Sequence, residues 1–359
     1  MIEPVQQRPV RAERIARVIL VVSVVLLIVV LALTFIKVPY AVERPGPVTD
    51  TLGQLDDGSE MIDIKGAKSY STDGELFFTT VRIIGGPEEH INGWEWLVGH
   101  LDDDSRVVPE EEVFGDTTSD EEIEEMNQAM MQGSQKNSIA VAIRSTGTAV
   151  PQDNLVGQII KGAPADGELK TEDVVTSVDG KKVSRVSDIV DGISDRKVGD
   201  TVRLGVTRDG KHGVVTLTTK DIGEGRAGVG IGIEPRYDYP YKVSIDAGEV
   251  GGPSAGMMFA LAVHDRLTPG AMTKGKSIAG TGTINDAGEV GPIGGIRQKL
   301  VGARAADAKW FLAPEDNCSE VKGHVPDGMQ VVSVDTFDDA TTAVESIAKG
   351  DTQDLPTCG

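Results

Sequence analysis

The chain has 359 residues, 39% of them hydrophobic, and a formal charge of −21. The length suggests two or three domains, and the apolar share excludes global disorder. So acidic a chain is a poor partner for nucleic acid, whose phosphates select Lys and Arg clusters, and two cysteines cannot build a disulfide-rich scaffold or a four-cysteine zinc site.

The first element is residues 18–36, VILVVSVVLLIVVLALTFI, which carry no charge. A helix over this run is ~28 Å long at a rise of 1.5 Å per residue, close to the hydrocarbon core of a bilayer. Arg8, Arg11, Arg14 and Arg17 precede it, and only Lys37 and Arg44 follow closely. The positive-inside rule then predicts a cytoplasmic N-terminus over 1–17, a single pass through the cell membrane, and 37–359 on the far side. A cleaved signal peptide would have a shorter apolar part and a small-residue cleavage site, and FIKVPY offers none.

Residues 37–65, with the prolines and turn residues of YAVERPGPVTDTLG, read as an ordered stalk. LFFTTVRII (76–84) reads as a strand. Between 101 and 125 stand twelve Asp or Glu against one Arg. The spacing of an EF-hand is absent, so this stretch reads as a solvated loop and helix face, and no metal is expected. Ser119 and Glu122 have capping-box spacing, Ile123, Met126 and Met130 recur at helical spacing, and Gly133 closes the segment. Together these predict an amphipathic helix over 120–132.

From 137 to 221 short β-type runs (SIAVAI, VGQIIK, DVVTSV, TVRLGVTR, GVVTLTT) alternate with turns, with one helix at 186–195. Ala163-Pro164-Ala165, then Leu169, Asp173 and Val175, then Asp179-Gly180, resemble the PDZ domains of bacterial proteases, which write S-P-A, L-x-x-G-D-x-I and D-G in that order. Glu172 stands where that pattern has glycine. The resemblance implies a β-sandwich-like domain that takes an extended peptide as an added strand. That strand would lie against Val156, Gly157, Gln158 and Ile159, behind PQDNLVG, a degenerate carboxylate loop. A PDZ-shaped spacer without a ligand is the other reading of the same residues.

Three chemical patterns meet between 240 and 313. Gly270-x-x-x-x-Gly275-Lys276-Ser277 fits a phosphate-binding loop, which works only between a strand and a helix. Here an apolar helix precedes it and a strand-like run follows, so no nucleotide is expected. Gly252-x-Ser254-x-Gly256 fits the nucleophile elbow of α/β-hydrolases, which needs a strand immediately before the serine and later acid and histidine partners. DAGEVGGP is no such strand, His264 falls on the same helix as Ser254, and only His324 is left. The third pattern places Ser254 at the start of a helix, where free N–H groups and the helix dipole favour a developing oxyanion. A serine there needs a base. In the helix after Gly294-Gly295, Ile296, Lys299, Leu300 and Ala303 share one face, so Lys299 lies in the apolar stripe near a helix N-terminus. Both settings disfavour an ammonium, as a general base requires. A lysine that snorkels to water is the ordinary alternative.

The whole run resembles the proteolytic domain of Lon-type serine–lysine peptidases. GGPSAG matches their D-G-P-S-A-G, Thr281-Gly282-Thr283-Ile284 their T-G-E-I, and Val290 to Leu300 their V-L-P-I-G-G-[LI]-K-E-K-L. Trp310–Ala313 with Pro314-Glu315-Asp316-Asn317 matches I-P-x-x-N. The resemblance covers about 110 residues. It implies Ser254 as nucleophile, Lys299 as base, Thr281 as the residue that orients the lysine, and backbone N–H groups around Gly252 and Ser254 as the oxyanion hole. Gly251 stands where many Lon enzymes carry aspartate, and no ATPase module accompanies the domain.

The expected fold class is therefore mixed α+β and α/β: a single N-terminal transmembrane helix, a PDZ domain at 137–221 and a Lon-type proteolytic domain at 228–350, with a tail at 351–359. The resemblance further implies that 66–135 supplies the first strands and helix of the protease, with the PDZ inserted, and that the domain forms a hexameric ring. Cys318 and Cys358 face an oxidising exterior and are expected to pair, two free thiols being the alternative. The expected activity is an ATP-independent, membrane-anchored endopeptidase without cofactor that cleaves exported or membrane polypeptides, its PDZ presenting substrate or gating access. The alternative is a non-enzymatic PDZ scaffold or regulatory protein with an inactive protease fold.

Overall fold

A computed structural model describes residues 10–55, 58–115, 119–223 and 225–358. In chain order the elements used below are α1 (Val10–Phe35), β1 (Tyr40–Asp50), β2 (Glu75–Ile84), α2 (Gly93–Leu101), β3 (Arg106–Pro109) and α3 (Asp120–Ser145). Next come β4 (Gln152–Ile159), β5 (Val174–Val178), α4 (Val186–Ser194), β6 (Thr201–Arg208), β7 (Lys211–Thr218) and β8 (Ile231–Tyr237). The last set is α5 (Gly256–Leu267), β9 (Ser277–Gly280), β10 (Thr283–Ile284), β11 (Val290–Gly291), α6 (Ile296–Ala305), β12 (Trp310–Pro314), β13 (Gln330–Val334) and α7 (Phe337–Lys349). The chain divides into two compact units, one built on residues up to 46 with Val81–Glu125, the other on Pro47–Thr80 with Met126 onward.

In the first unit α1 begins at Val10, so Arg14 and Arg17 lie on the helix itself, exposed. Its stretch Glu13–Phe35 is long and apolar enough to cross a membrane, and its most apolar part is wholly unburied. The expected stalk is instead largely strand. Tyr40, Ala41, Val42 and Glu43 of β1 pair antiparallel with Pro109, Val108, Val107 and Arg106 of β3. Ala41, Val42 and Glu43 are buried in succession, and this pairing with β3, not turn residues, decides the conformation there. Asp116 and its two neighbours in the acidic stretch lie outside the described residues.

The second unit is organised by a parallel set of strands in the order β13-β12-β9-β2. Ser277–Gly280 pair with Glu75–Phe78 on one side, and Ile278, Ala279 and Gly280 pair with Trp310, Phe311 and Leu312 on the other. Strands buried on both faces are apolar throughout. Ile278, Leu312 and Val332 pack with α5 and α7, while Ala279, Phe311 and Ala313 pack with Ile296, Leu300 and Ala303 of α6. α5 is the central helix: Met257 to Val263 are fully buried, and Phe259 stacks on Phe78 with ring centroids 5.4 Å apart. Cys318 and Cys358 are joined in a disulfide.

A second sheet, in the order β8-β4-β5-β6-β7, encloses its own core of Val156, Leu169, Val175, Ile189, Val202 and Leu204. Asp173 is buried and accepts from Arg208 Nε and Nη2, both at 2.6 Å, which holds its carboxyl below the usual range. Glu172 takes φ +70°, a left-handed conformation that explains why the pattern writes glycine at this place.

Two expectations fail in this region. The helix expected over 120–132 runs through Gly133 to Ser145, and SIAVAI, read as a strand, forms its last turns. A short apolar run buried on all sides gives no period to separate strand from helix, and the packing of α3 carries Gly133 inside the helix although glycine there costs about 1 kcal/mol relative to alanine. The buried face of α3 carries Met131, Ser134 and Ser138, whereas Met126 and Met130 are exposed. The sheet also gains a strand that no turn pattern announced, since β8 lies beyond the expected boundary at 221 and pairs with β4 from Ile231↔Ile159 to Tyr237↔Gln152.

Candidate active site

Ser254 lies in the turn Gly252–Ala255 that leads into α5 at Gly256. Gly252 has φ +82°, open to glycine and costly for other residues. The turn is stitched to the segment after β9: the Ser254 carbonyl accepts from Gly282 N at 2.8 Å and from Thr281 Oγ1 at 3.0 Å, and Met257 N donates to Gly282 O at 3.1 Å. α3 backs the same turn. Ser134 Oγ donates to Pro253 O at 2.9 Å, Ser138 Oγ donates to Gly256 O at 2.7 Å, and a Cβ on Gly256 would stand 2.6 Å from Ser134 Oγ. The two small hydroxyl residues let α3 approach closely, and their O–H groups add donors to carbonyls of the turn and of the first residue of α5.

Lys299 sits on the first turn of α6, which starts from Gly295 at φ +67°. Its approach is fixed by Asn317, which accepts from Ile293 N at 3.0 Å and donates through Nδ2 to Ile293 O at 2.9 Å, clamping the loop ahead of the helix. Lys299 is only 3% exposed and Thr281 is fully buried. Lys299 Nζ donates to Ser254 Oγ at 2.9 Å and to Thr281 Oγ1 at 3.0 Å. The side chain is therefore sequestered against two hydroxyls and does not snorkel. The structure brings Ser254, Lys299 and Thr281 together.

One of the two expected oxyanion donors is engaged elsewhere. The Gly252 N–H donates to Asn127 O at 2.9 Å and is not free. Among the described residues, the N–H groups of Ser254 and Ala255 have no acceptor, as first-turn donors of a helix commonly do not. The histidines are elsewhere engaged. His264 bonds Ser145 Oγ at 2.6 Å, and burial pushes its pKa down, while His324 lies on an exposed turn against Lys322 O. Gly270–Ser277 follows helix α5 and enters strand β9, the reverse of a phosphate loop.

Val156, Gly157, Gln158 and Ile159 all lie on β4, whose edge is already taken. Ile159 faces Ile231, Gln158 faces Gly232 and Val156 faces Ile233, with Gly157 at the bulge between them. These four residues cannot receive an added strand on that side. β8 is the terminal strand of the sheet, and Pro235 within it, lacking an N–H, suits an edge.

Sequence reasoning also missed a polar network behind the hairpin β10–β11. Asp286, buried in its turn, accepts at Oδ2 from Val186 N, the first residue of α4, and from Gln152 Nε2, both at 2.6 Å. Arg144 Nη1 donates to Asp286 O at 3.0 Å. Asn137 Nδ2 donates to Ile284 O at 3.1 Å and accepts from the Tyr237 hydroxyl at 2.7 Å. Burial keeps that hydroxyl far above its ordinary pKa, hence a neutral donor. Nothing local marks Asp286, because its partners lie 100 and 134 residues away in sequence.

Known proteins bear out the two domains. Residues 130–219 match the PDZ domain family, and residues 240–345 match the Lon protease (S16) C-terminal proteolytic domain. The Lon protease of Campylobacter concisus is 39% identical over 109 residues, covering 29% of this chain and 13% of that protein. Lon protease 1 of Bacillus subtilis is 30% identical over 189 residues, covering 48% of this chain and 23% of that protein. The PDZ domain of an SdrC-like protein from Listeria monocytogenes is 27% identical over 22% of this chain and 85% of that one, with a TM-score of 0.22. The chain thus spans less than a quarter of the length of the two Lon relatives. It combines an N-terminal apolar helix, a PDZ domain and a Lon-type proteolytic domain.

Proposed function

We propose that this chain is a serine endopeptidase in which Ser254 attacks the peptide carbonyl and Lys299 is the general base. One observation carries the reading: a buried lysine amine lies 2.9 Å from the serine oxygen and 3.0 Å from a buried threonine hydroxyl. With the amine neutral, the Ser254 hydroxyl donates to Nζ and loses its proton as Oγ adds to the carbonyl. The N–H groups of Ser254 and Ala255 meet the oxyanion. The ammonium then returns its proton to the departing amine, leaving an acyl-enzyme that water opens by the same route. Thr281, bonded to both Lys299 Nζ and Ser254 O, fixes the distance between base and nucleophile.

The reaction draws on no cofactor or nucleotide and is ATP-independent in this reading. α1 anchors the chain in the cell membrane with the arginine-bearing end in the cytoplasm, so exported or membrane polypeptides are the substrate class. The PDZ is inserted into the protease, since β2, which pairs with β9, precedes it in the chain. A peptide would add to the free edge of β8 beside α4. Both walls of that groove anchor on the catalytic hairpin, α4 through Asp286 and β8 through Tyr237 and Asn137, which favours gating over a passive spacer.

The test uses the full chain in mild detergent and β-casein as an unstructured substrate. Ser254→Ala and Lys299→Ala abolish cleavage, and His324→Ala leaves it unchanged. A fully active Lys299→Ala protein removes the reading.

A further inference from the structure

α2 packs on its own unit with glycines and turns Trp94 and Leu101 away, while Leu97 and Val98 are half-buried. A Cβ on Gly99 would stand 2.7 Å from Val107 Cγ2, and one on Gly93 would stand 3.1 Å from Leu33 Cδ2, so both positions hold the helix close to protein. Trp96 covers Tyr40, with ring centroids 6.4 Å apart. The opposite stripe, Trp94, Leu97, Val98 and Leu101, has the i, i+3, i+4, i+7 spacing of a helix face. Trp94 is 50% exposed and Leu101 is 75% exposed. The helix is built to last: Asn92 Oδ1 accepts from Trp94 N and Glu95 N, and Glu95 caps Asn92 in return.

The position of this stripe says what covers it. Gly93 N donates to Ile36 O at 2.9 Å, Val38 N donates to Ile91 O at 2.9 Å, and Lys37 Nζ donates to His90 O at 2.7 Å. α2 is therefore tied to the last turn of α1, where an apolar span ends and Lys37 begins the polar chain. That level is the one tryptophan favours in a bilayer. Asp102, Asp103 and Asp104 follow Leu101 directly and keep the helix end at the water side.

We propose that α2 is an interfacial foot whose Trp94–Leu101 face inserts among lipid headgroups next to the exit of α1. The proposal rests on α1 spanning the bilayer, and its test reads the two separately. The full chain is reconstituted in phosphatidylethanolamine–phosphatidylglycerol vesicles as a Trp96→Phe/Trp310→Phe variant, leaving Trp94 as the sole tryptophan. Alkaline carbonate extraction reads the anchor. Quenching by lipids brominated near the headgroup or near the chain end reads α2. Loss of Trp94 emission to the shallow bromine and little to the deep one in a carbonate-resistant chain supports the foot, and the same quenching in a released chain overturns the anchor and, with it, a foot placed at the exit of α1. Unquenched Trp94 in a carbonate-resistant chain overturns the foot and leaves the anchor standing. Unquenched Trp94 in a released chain overturns both. A nitroxide at Leu101→Cys in the otherwise native chain repeats the reading at an exposed position. Preferential collision with oxygen over a nickel chelate supports lipid contact. The opposite preference, or broadening between spins of two copies, overturns it.

Discussion

Lys299 reaches Ser254 because two side chains and one carbonyl set its path: Asn317 clamps the loop before α6, Thr281 receives the amine, and the Ser254 carbonyl receives Thr281. The two ends of this chain of contacts were legible in the sequence, since a serine at a helix start and a lysine in an apolar stripe are local patterns. The capture of the Gly252 N–H by Asn127 O was not, because that contact is set by tertiary packing. Thr281→Val keeps the shape and removes the hydroxyl. Its loss lowers kcat about tenfold, the effect of one hydrogen bond of ~1.5 kcal/mol, and moves the limb of the pH–rate profile that reports Lys299, while Thr281→Ser restores both. An unchanged profile in the valine protein would show that Thr281 only fills space. Asp265 gives a stability prediction. It is fully buried, and burial pushes its carboxyl up to about 6 from 3.8, against the opposing effect of the Met272 N–H. The folded state thus holds the proton more tightly than the unfolded one. Its contribution is complete below pH 3.8 and is lost as pH rises through about 6. Melting curves of wild type against Asp265→Asn therefore diverge across that window, with the wild type losing ground as pH rises. Parallel curves would contradict the assignment.

At the scale of elements, α3 and the β10–β11 hairpin do more than their sequences suggest. α3 was half visible: its acidic first turns and Ser119 cap were readable, and Glu122 N does donate to Ser119 Oγ at 3.2 Å. The short apolar run near its end, SIAVAI, carried no period. The edge of the PDZ sheet was misplaced for a related reason, since β8 reaches β4 across a gap of more than 70 residues and only long-range pairing reveals it. Asp286 caps α4 from outside the domain, and losing a helix cap costs about 1 kcal/mol. Asp286→Ala speeds amide exchange at Val186 by roughly fivefold, the equivalent of that cost, and lowers kcat for casein with KM little changed. Faster exchange at Val186 with unaltered kcat would mean that the hairpin does not transmit the state of α4.

At the scale of the whole molecule, the length suggested two or three domains, and the resemblance implied that the PDZ interrupts the protease. β2, from before the PDZ, pairs with β9, from after it, and the proposed insertion rests on that pairing. The mean apolar content hid two opposite extremes: a helix with its apolar surface bare and a central helix, α5, with seven consecutive residues fully buried. A Lon-type domain leads us to expect a six-membered ring. Light scattering of the full chain in mild detergent then gives six protomers per particle, and a monodisperse monomer would contradict it.

The account stands on the pairing of Ser254 with Lys299, and a serine-directed fluorophosphonate tests it without knowledge of the natural substrate. Intact-mass and peptide analysis should find one adduct on the wild-type chain, at Ser254, formed far more slowly in Lys299→Ala and absent in Ser254→Ala. Adduct formation at an undiminished rate in Lys299→Ala, or on another residue, would contradict it.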